Sequence, residues 1–259
     1  MKASLLFLAT ILAQGPAGLL EVGTKYGHKI EVRKAAFTDK ARGYEVAGDV
    51  VSDAAIEKYA PLWIQEWSRY PRGLMAKAKV AKVVFSEKLS LNGQLRAAVP
   101  AFDLETMYFD PALGAHAPTY QRGVVHHEFF HMLDFRMGRL KLDPDWMALN
   151  PKEFKYGSGG KNMRTQGVGN LTTEIPGFLT PYGTSALEED KAELFAHLIV
   201  SAKFVMDQAA KDPVLAAKID LLKRRMQAYD AGFNDSFWHK PKLRSTVGQN
   251  ERCSLYFLP

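Results

Sequence analysis

The fold of this 259-residue chain is decided by one stretch, Val125-His126-His127-Glu128-Phe129-Phe130-His131-Met132-Leu133-Asp134. It contains His-Glu-x-x-His, and most of its other positions are apolar, which favours a packed helix. Side chains four apart on a helix are about 5–6 Å apart, so His127 and His131 can reach one zinc ion. Glu128 then faces the open side of the metal, where it can accept a proton from water. A random chain of this composition would contain the pattern roughly 0.02 times, so the motif is specific.

The third ligand has to come from another part of the chain. Catalytic zinc usually takes three protein ligands and leaves one position for water, and no histidine occurs between His131 and His197. The candidates are four acids of a later predicted helix: Glu188, Glu189, Asp190 and Glu193. The first three fall in its first turn, where acids favour the helix dipole and commonly face solvent. Glu193 lies deeper among apolar neighbours and needs a partner, which a metal would supply. The alternative for Glu193 is an exposed position on an amphipathic helix.

Three other polar residues near the motif have weaker signals. His197, one turn after Glu193, and Asp134, three residues after His131, are either supports for a ligand or ordinary polar residues of a helix surface. His126 points about 100° away from His127 around the helix and is not expected to bind the metal.

Hydrophobic patterning around the motif predicts an α+β fold, with a small strand layer against the His-Glu-x-x-His helix and a mainly helical second half. Asp53 is expected to cap a helix that Pro61 bends or begins. The predicted elements are two or three strands in 20–50, a helix in 53–67, strands in 80–85 and 97–109 around an Asn92-Gly93 turn, a surface excursion over 140–182, and helices over 187–206 and 213–229.

The N-terminus has the layout of a secretory signal peptide over residues 1–18, with an apolar centre followed by small residues. That centre is shorter than the roughly 20 residues that span a bilayer, so no membrane segment is expected after its removal. We therefore expect a secreted or periplasmic protein with one domain over 19–259 and an active-site core at about 105–205. The alternative is that residues 1–18 form an ordinary first helix or strand.

Composition excludes some classes of protein. The formal charge is +6, but the basic residues are scattered rather than clustered, so no nucleic-acid partner is expected. The single cysteine, Cys253, cannot form an internal disulfide, so a core or a metal must stabilise an exported chain. The sequence makes no prediction of the oligomeric state.

The motif and two later segments together resemble a known family. His127 to Asp134, with Pro181-Tyr182-Gly183 and Ala192 to Ala196, is similar to the gluzincin peptidases related to the anthrax lethal factor catalytic domain and to the Mlc titration factor A family. The resemblance covers about 105–200. It implies a zincin-like metallopeptidase fold with one zinc ion bound by His127, His131 and Glu193. It also implies Glu128 as the base and Tyr182 as a hydroxyl that stabilises the oxyanion.

The resemblance has one departure and one further implication. Tyr182 lies eleven residues before Glu193, whereas the gap in lethal factor is seven. By the same likeness, the strand at 104–109 is expected to pair with an extended peptide or protein substrate.

The resulting hypothesis is a zinc-dependent peptidase in which Glu128 activates water and returns its proton to the departing amine. The loop at 141–181 is expected to form a wall or lid of the cleft. Two alternatives stay open. The first is a zinc-stabilised binding protein without catalysis, whose metal site would be closed by a fourth ligand such as His197. The second is a secreted effector protease with one specific target.

Overall fold

The computed structural model describes residues 16–162, 167 and 169–239. Residues 1–15 of the expected signal peptide and Cys253 lie outside the described residues. Residues 16–18 begin the first helix, in which Leu19 and Val22 are fully buried. None of the helices in the described segments has the length and apolar character needed to cross a membrane.

Nine helices are present in the described residues, and the three longest are α2, α4 and α8. Their bounds are α1 Pro16–Tyr26, α2 Asp53–Trp67, α3 Leu74–Lys77, α4 Pro118–Arg136, α5 Pro144–Met147, α6 Leu187–Val200, α7 Ala202–Ala209, α8 Pro213–Tyr229 and α9 Asp235–Trp238.

The described residues also contain eight strands, which form two four-stranded sheets. The strands are β1 Lys29–Val32, β2 Phe37–Ala41, β3 Tyr44–Asp49, β4 Lys82–Phe85, β5 Glu87–Leu91, β6 Gln94–Leu95, β7 Ala98–Ala101 and β8 Thr106–Phe109. The first sheet has the order β1-β4-β8-β7 and is mixed, because only β7 runs antiparallel to its neighbour. The second sheet is antiparallel, with the order β2-β3-β5-β6.

The predicted α+β fold is confirmed at this level: a small mixed sheet packs against α4, and the second half of the chain is helical. The larger of two apolar clusters in the described residues contains residues from Leu19 to Trp238, and a smaller one, which includes Val46 and Tyr108, has members from both sheets. The centre of the larger cluster is aromatic, with the rings of Trp63 and Trp67 stacked at 4.8 Å between centroids.

Several local predictions differ from the structure. Helix α2 runs through Pro61 without interruption, and its cap is Ser52, whose side chain accepts a hydrogen bond from the Ala55 backbone N–H, rather than Asp53. The helix predicted over 187–206 divides at Ser201 into α6 and α7. The described part of the segment 140–182 is not simply a surface excursion, because Trp146, Phe178 and Leu179 within it are buried.

The strand expected to pair with substrate is also corrected. β8 lies inside the mixed sheet, hydrogen-bonded to β4 on one side and to β7 on the other. Its backbone groups are therefore already paired. The edge strand on this side is β7, and Ala98, Val99 and Pro100 of this strand line a cleft beside α4.

Candidate metal centre

The cleft lies between β7 and α6, with α4 at its base, and has a volume of about 580 Å³. Helix α4 begins with Pro118 in its first turn, a position where the missing proline N–H leaves no helix hydrogen bond unmade. The helix is buried on several faces, by α2, α6 and β7. This packing fixes the rotation of α4, so His127 and His131 both face the cleft.

Three side-chain atoms converge at the floor of the cleft. The Nε2 atoms of His127 and His131 lie 3.1 Å apart. The Oε2 atom of Glu189 on α6 lies 3.0 Å from the first and 3.4 Å from the second. These three residues form a group of potential metal ligands.

The distances within this group fit one small cation. Ligand atoms bound to zinc at about 2.0–2.1 Å in a tetrahedral arrangement lie roughly 3.3 Å from each other. The donor set of two imidazoles and one carboxylate is also one that zinc accepts. The described residues therefore hold a site that can bind a metal ion, with His127, His131 and Glu189 as its ligands.

Glu193, the residue expected as the third ligand, contacts the opposite side of the His127 ring. Its Oε1 atom accepts a hydrogen bond from His127 Nδ1 at 2.9 Å. Its Oε2 atom accepts one from the Thr180 hydroxyl at 2.7 Å and lies 3.7 Å from His197 Nε2. A carboxylate on Nδ1 leaves Nε2 as the lone-pair nitrogen that faces a metal. Glu193 therefore contacts the Nδ1 side of the His127 ring, away from the candidate metal site, whereas Glu189 contacts the Nε2 side, at the site itself.

Electrostatics in the cluster favour ionised carboxylates. Burial alone raises the pKa of Glu189, but hydrogen bonds to His127 and His131 outweigh it and hold that pKa well below its ordinary value. Burial likewise opposes ionisation of Glu193, yet His127 and His197 lower its pKa to about 2. Burial opposes protonation of the His127 ring, but its bonds to Glu189 and Glu193 raise its pKa well above the ordinary value, so a metal ion bound at Nε2 would take the place of a proton. The cluster therefore presents two anionic carboxylates to a cation.

Glu128 lines the same cleft but does not belong to the ligand group. Burial raises the pKa of its carboxyl, while the nearby His127, His131 and Arg96 act to lower it. A carboxylate with a raised pKa beside a metal site is a stronger proton acceptor than an ordinary glutamate. The structure therefore leaves Glu128 available as a base.

Tyr182 lies in a short 3-10 turn directly before α6. Its ring centroid is 6.1 Å from that of His127, and its hydroxyl hydrogen-bonds to Glu189. Burial and the carboxylates of Glu189 and Glu128 raise its pKa well above the ordinary value. The hydroxyl is therefore a neutral donor at the edge of the metal site.

The two residues that follow Glu189 on α6, Asp190 and Lys191, each form a buried ion pair that holds this turn of the helix in place. Lys191, with 2% of its side chain exposed, contacts Asp134 of α4 at 2.6 Å, so this pair joins the two ligand-bearing helices. Lys218 of α8 lies 2.8 Å from Asp190. Breaking a buried pair typically costs about 3–5 kcal/mol because one charge is left uncompensated. Asp134 is thus a buried contact between helices and not a surface residue.

The segment before Asn162 closes one side of the site. Gly157 and Gly159 donate backbone hydrogen bonds to Thr184 and Ser185, and a side chain at Gly160 would collide with the Tyr182 hydroxyl and with Glu189. A residue larger than glycine would therefore displace two groups of the site. This part of the predicted loop is a wall of the cleft.

His126 belongs to a separate polar cluster on another face of α4. Its Nε2 atom lies 2.9 Å from Glu66 Oε2, and its Nδ1 atom lies 2.7 Å from the Tyr70 hydroxyl. Arg122 donates to the other oxygen of Glu66 at 2.6 Å. Both ring nitrogens of His126 are thus engaged within the protein, as expected for a residue that is not a ligand.

Glu189 is a candidate ligand whose place in the first turn of α6 would favour exposure to solvent. Its side chain is only 14% exposed. The signal that pointed to it was the Tyr-to-Glu spacing: Tyr182 precedes Glu189 by seven residues, which is the gap in lethal factor. Acidic residues in the first turn of a helix commonly face solvent. In this protein, however, the first turn of α6 faces α4.

Comparison with protein-family models found no match to this chain. No curated protein and no solved structure matched it either. The resemblance to gluzincin peptidases therefore rests on the motif residues alone.

Proposed function

We propose that this protein is a zinc-dependent peptidase, with zinc bound by His127, His131 and Glu189 and with Glu128 as its general base. The observation that carries the proposal is the convergence of two imidazole nitrogens and one carboxylate oxygen, 3.0–3.4 Å apart, on the floor of a cleft that Glu128 also lines. Under this proposal the fold is zincin-like.

A zinc ion bound there supplies Lewis-acid chemistry: it polarises a carbonyl oxygen and acidifies water. The residues of the chain do the rest. Glu128 takes the proton of the attacking water and delivers it to the departing amine, for which its raised pKa is suited. Glu193 holds the His127 ring in the tautomer that offers Nε2 to the cleft.

Tyr182 lines the cleft beside His127, so its hydroxyl can serve as the donor to the scissile carbonyl oxygen. Its hydroxyl stays protonated because its pKa is raised well above the ordinary value. A neutral buried donor of this kind stabilises an oxyanion without itself losing a proton. The open edge of β7 along the cleft supports binding of an extended peptide backbone.

The non-catalytic alternative needs a closed metal site, and the described residues offer only three clustered ligands. His197, the expected fourth ligand, instead lies beside Glu193 on the far side of the His127 ring. Three ligands and an adjacent carboxylate are typical of a catalytic site. That the protein is secreted or periplasmic stays a prediction of the sequence.

The decisive experiment is the Glu128→Gln substitution, made alongside a Glu188→Gln control. Glu188 is the other cleft glutamate outside the cluster and pairs with Lys141 at the rim. We expect E128Q to bind one zinc ion per chain and to lose roughly 10²–10⁴-fold in kcat, the typical contribution of general acid–base catalysis. E188Q should retain both zinc and activity.

The measurement is elemental metal analysis together with a chelator-sensitive peptide cleavage assay. If the wild-type protein binds zinc but hydrolyses no peptide, the catalytic proposal fails and a binding protein is favoured. If E128Q cleaves as fast as the wild type, Glu128 is not the base.

A further inference from the structure

One cationic side chain that lines the cleft, that of Arg96, has no role in the candidate metal site. Arg96 lies in the turn before β7 and lines the cleft together with Glu128. Its backbone is fixed, because its N–H donates to the Leu89 carbonyl at 2.8 Å. The neighbouring residue is also held, since the Ala97 carbonyl accepts a hydrogen bond from the Asp110 N–H at 2.8 Å. The base of the Arg96 side chain is therefore held in place by sheet hydrogen bonds.

The guanidinium of Arg96 contacts only neutral acceptors. It donates to the Leu95 carbonyl at 3.1 Å and to Gln94 Oε1 at 2.5 Å. No carboxylate of the described residues lies within 4.0 Å of it. The other long-chain cation that lines the cleft, Lys141, is paired with Glu188. A partly buried guanidinium without a counter-ion keeps donors available for an anion.

The other charges of the cleft restrict where an anion can bind. Glu128, Glu189 and Glu193 are grouped at the metal end, and their three negative charges exceed the two positive charges of a bound zinc ion, so a further carboxylate is not favoured there. Arg96 is near enough to Glu128 for its charge to act on that carboxyl. A carboxylate of a bound molecule would thus be attracted to Arg96, in the same cleft as Glu128.

The direction of β7 indicates which part of a peptide reaches Arg96. Among the described strands, β7 pairs only with β8, and antiparallel. A peptide added antiparallel to the open edge of β7 would run from Ala101 towards Ala98, so its C-terminal half would approach Arg96. Leu91, Leu95 and Leu113, which line the same cleft, give that half an apolar surface.

We propose that Arg96 forms a carboxylate-binding subsite for the C-terminal side of a peptide substrate, a specificity that rests on the proposed peptidase function. The carboxylate has two possible sources, the α-carboxylate of a chain end or the side chain of Asp or Glu. Both match the planar, forked guanidinium, which binds carboxylates through two parallel hydrogen bonds.

The test compares four N-acetylated peptides that share one apolar sequence. They end in a free acid, in an amide, in a Glu amide and in a Gln amide. We expect zinc-loaded wild-type protein to prefer a carboxylate over its neutral partner by roughly 10- to 100-fold in kcat/KM, mainly through KM. A preference for the free acid over the amide would identify the α-carboxylate as the bound group. A preference for the Glu amide over the Gln amide would identify the side-chain carboxylate.

The variants are Arg96→Met and, as a matched control, Lys141→Met. R96M should lose the preference and cleave acid and amide peptides at equal rates, and K141M should keep the wild-type preference. The inference is overturned if wild type shows no preference or if R96M retains it. It is also overturned if R96M slows both peptides equally, since Arg96 would then act only through Glu128.

A binding measurement separates this inference from the proposed function. Fluorescence anisotropy of the same peptides is measured on zinc-loaded Glu128→Gln protein, with and without R96M. Preferential binding of acids that R96M abolishes, combined with no hydrolysis by wild type, would support the subsite and refute the peptidase. Hydrolysis with equal binding of acid and amide would support the peptidase and refute the subsite. No binding and no hydrolysis would refute both.

Discussion

His126 and His127 are consecutive on one helix, and both are buried beside a glutamate, yet their surroundings differ. The two ring nitrogens of His126 are each bonded within the protein, to Glu66 and to Tyr70. At His127, Nδ1 is bonded to Glu193, whereas Nε2 meets His131 and Glu189 at nearly equal distances. The first arrangement is complete without a ligand, and the second has the geometry to accept a cation.

The comparison teaches that burial and an acidic neighbour do not by themselves make a metal ligand. Burial lowers the pKa of His126 and so favours the neutral ring, whose Nε2–H donates a hydrogen bond to Glu66. The charge of that glutamate is balanced by Arg122, which contacts its other oxygen. What marks the metal site is that three lone-pair atoms converge on one point.

The largest effect that separates the two histidines is expected in zinc affinity. His127→Ala removes one ligand of a site whose total binding energy is of the order of 10 kcal/mol, so we expect zinc affinity to fall roughly 1,000-fold. His126→Gln, which keeps an amide donor for Glu66, should leave zinc affinity within a few-fold of wild type. Competition with a fluorescent zinc chelator measures both, and equal losses would show that the distinction between the two sites is wrong.

A third buried histidine sharpens the comparison, because His28 has no hydrogen-bond partner for either ring nitrogen among the described residues. Its ring packs edge-on against Trp67 at 5.8 Å between centroids. Burial lowers its pKa from 6.5 to about 4. The folded state therefore favours the neutral ring.

This shift predicts a pH dependence of stability. The pKa of His28 is lower in the folded than in the unfolded chain. The neutral ring's contribution to the free energy of unfolding is therefore complete above pH 6.5 and is lost as the pH falls towards 4. At pH 4 the loss is about 3 kcal/mol. His28→Leu should remove this part of the pH dependence, measured as the difference in urea unfolding free energy between pH 7 and pH 4. An unchanged difference would show that the ring titrates normally.

How far the sequence predicted this site depends on the range of the interactions involved. His127, Glu128 and His131 follow from helical spacing, a local property, and the structure places all three at the cleft. The choice between Glu189 and Glu193 depends on which turn of α6 meets α4, and helical spacing carries no such information. The same holds for β8, whose internal place in the sheet is set by pairing with β4 and β7.

The different roles of the three glutamates on α6 predict the smallest change in zinc affinity and also provide the most closely matched control variant. Glu193→Gln keeps the size of a side chain that orients His127 but weakens its hydrogen bond, so we expect a loss of about 10- to 100-fold in zinc affinity. Glu189→Gln removes a charged ligand and should lose as much as His127→Ala. Glu188→Gln, one residue earlier and paired with Lys141 at the rim, should lose nothing.

The order of the three glutamine variants decides the ligand assignment. If E193Q loses more zinc affinity than E189Q, then Glu193 moves to the metal when the ion binds, and the ligand set implied by the gluzincin resemblance is right. If E189Q loses more, the arrangement in the structure is the one that binds zinc, because an orienting carboxylate acts on the metal only through the ring it holds.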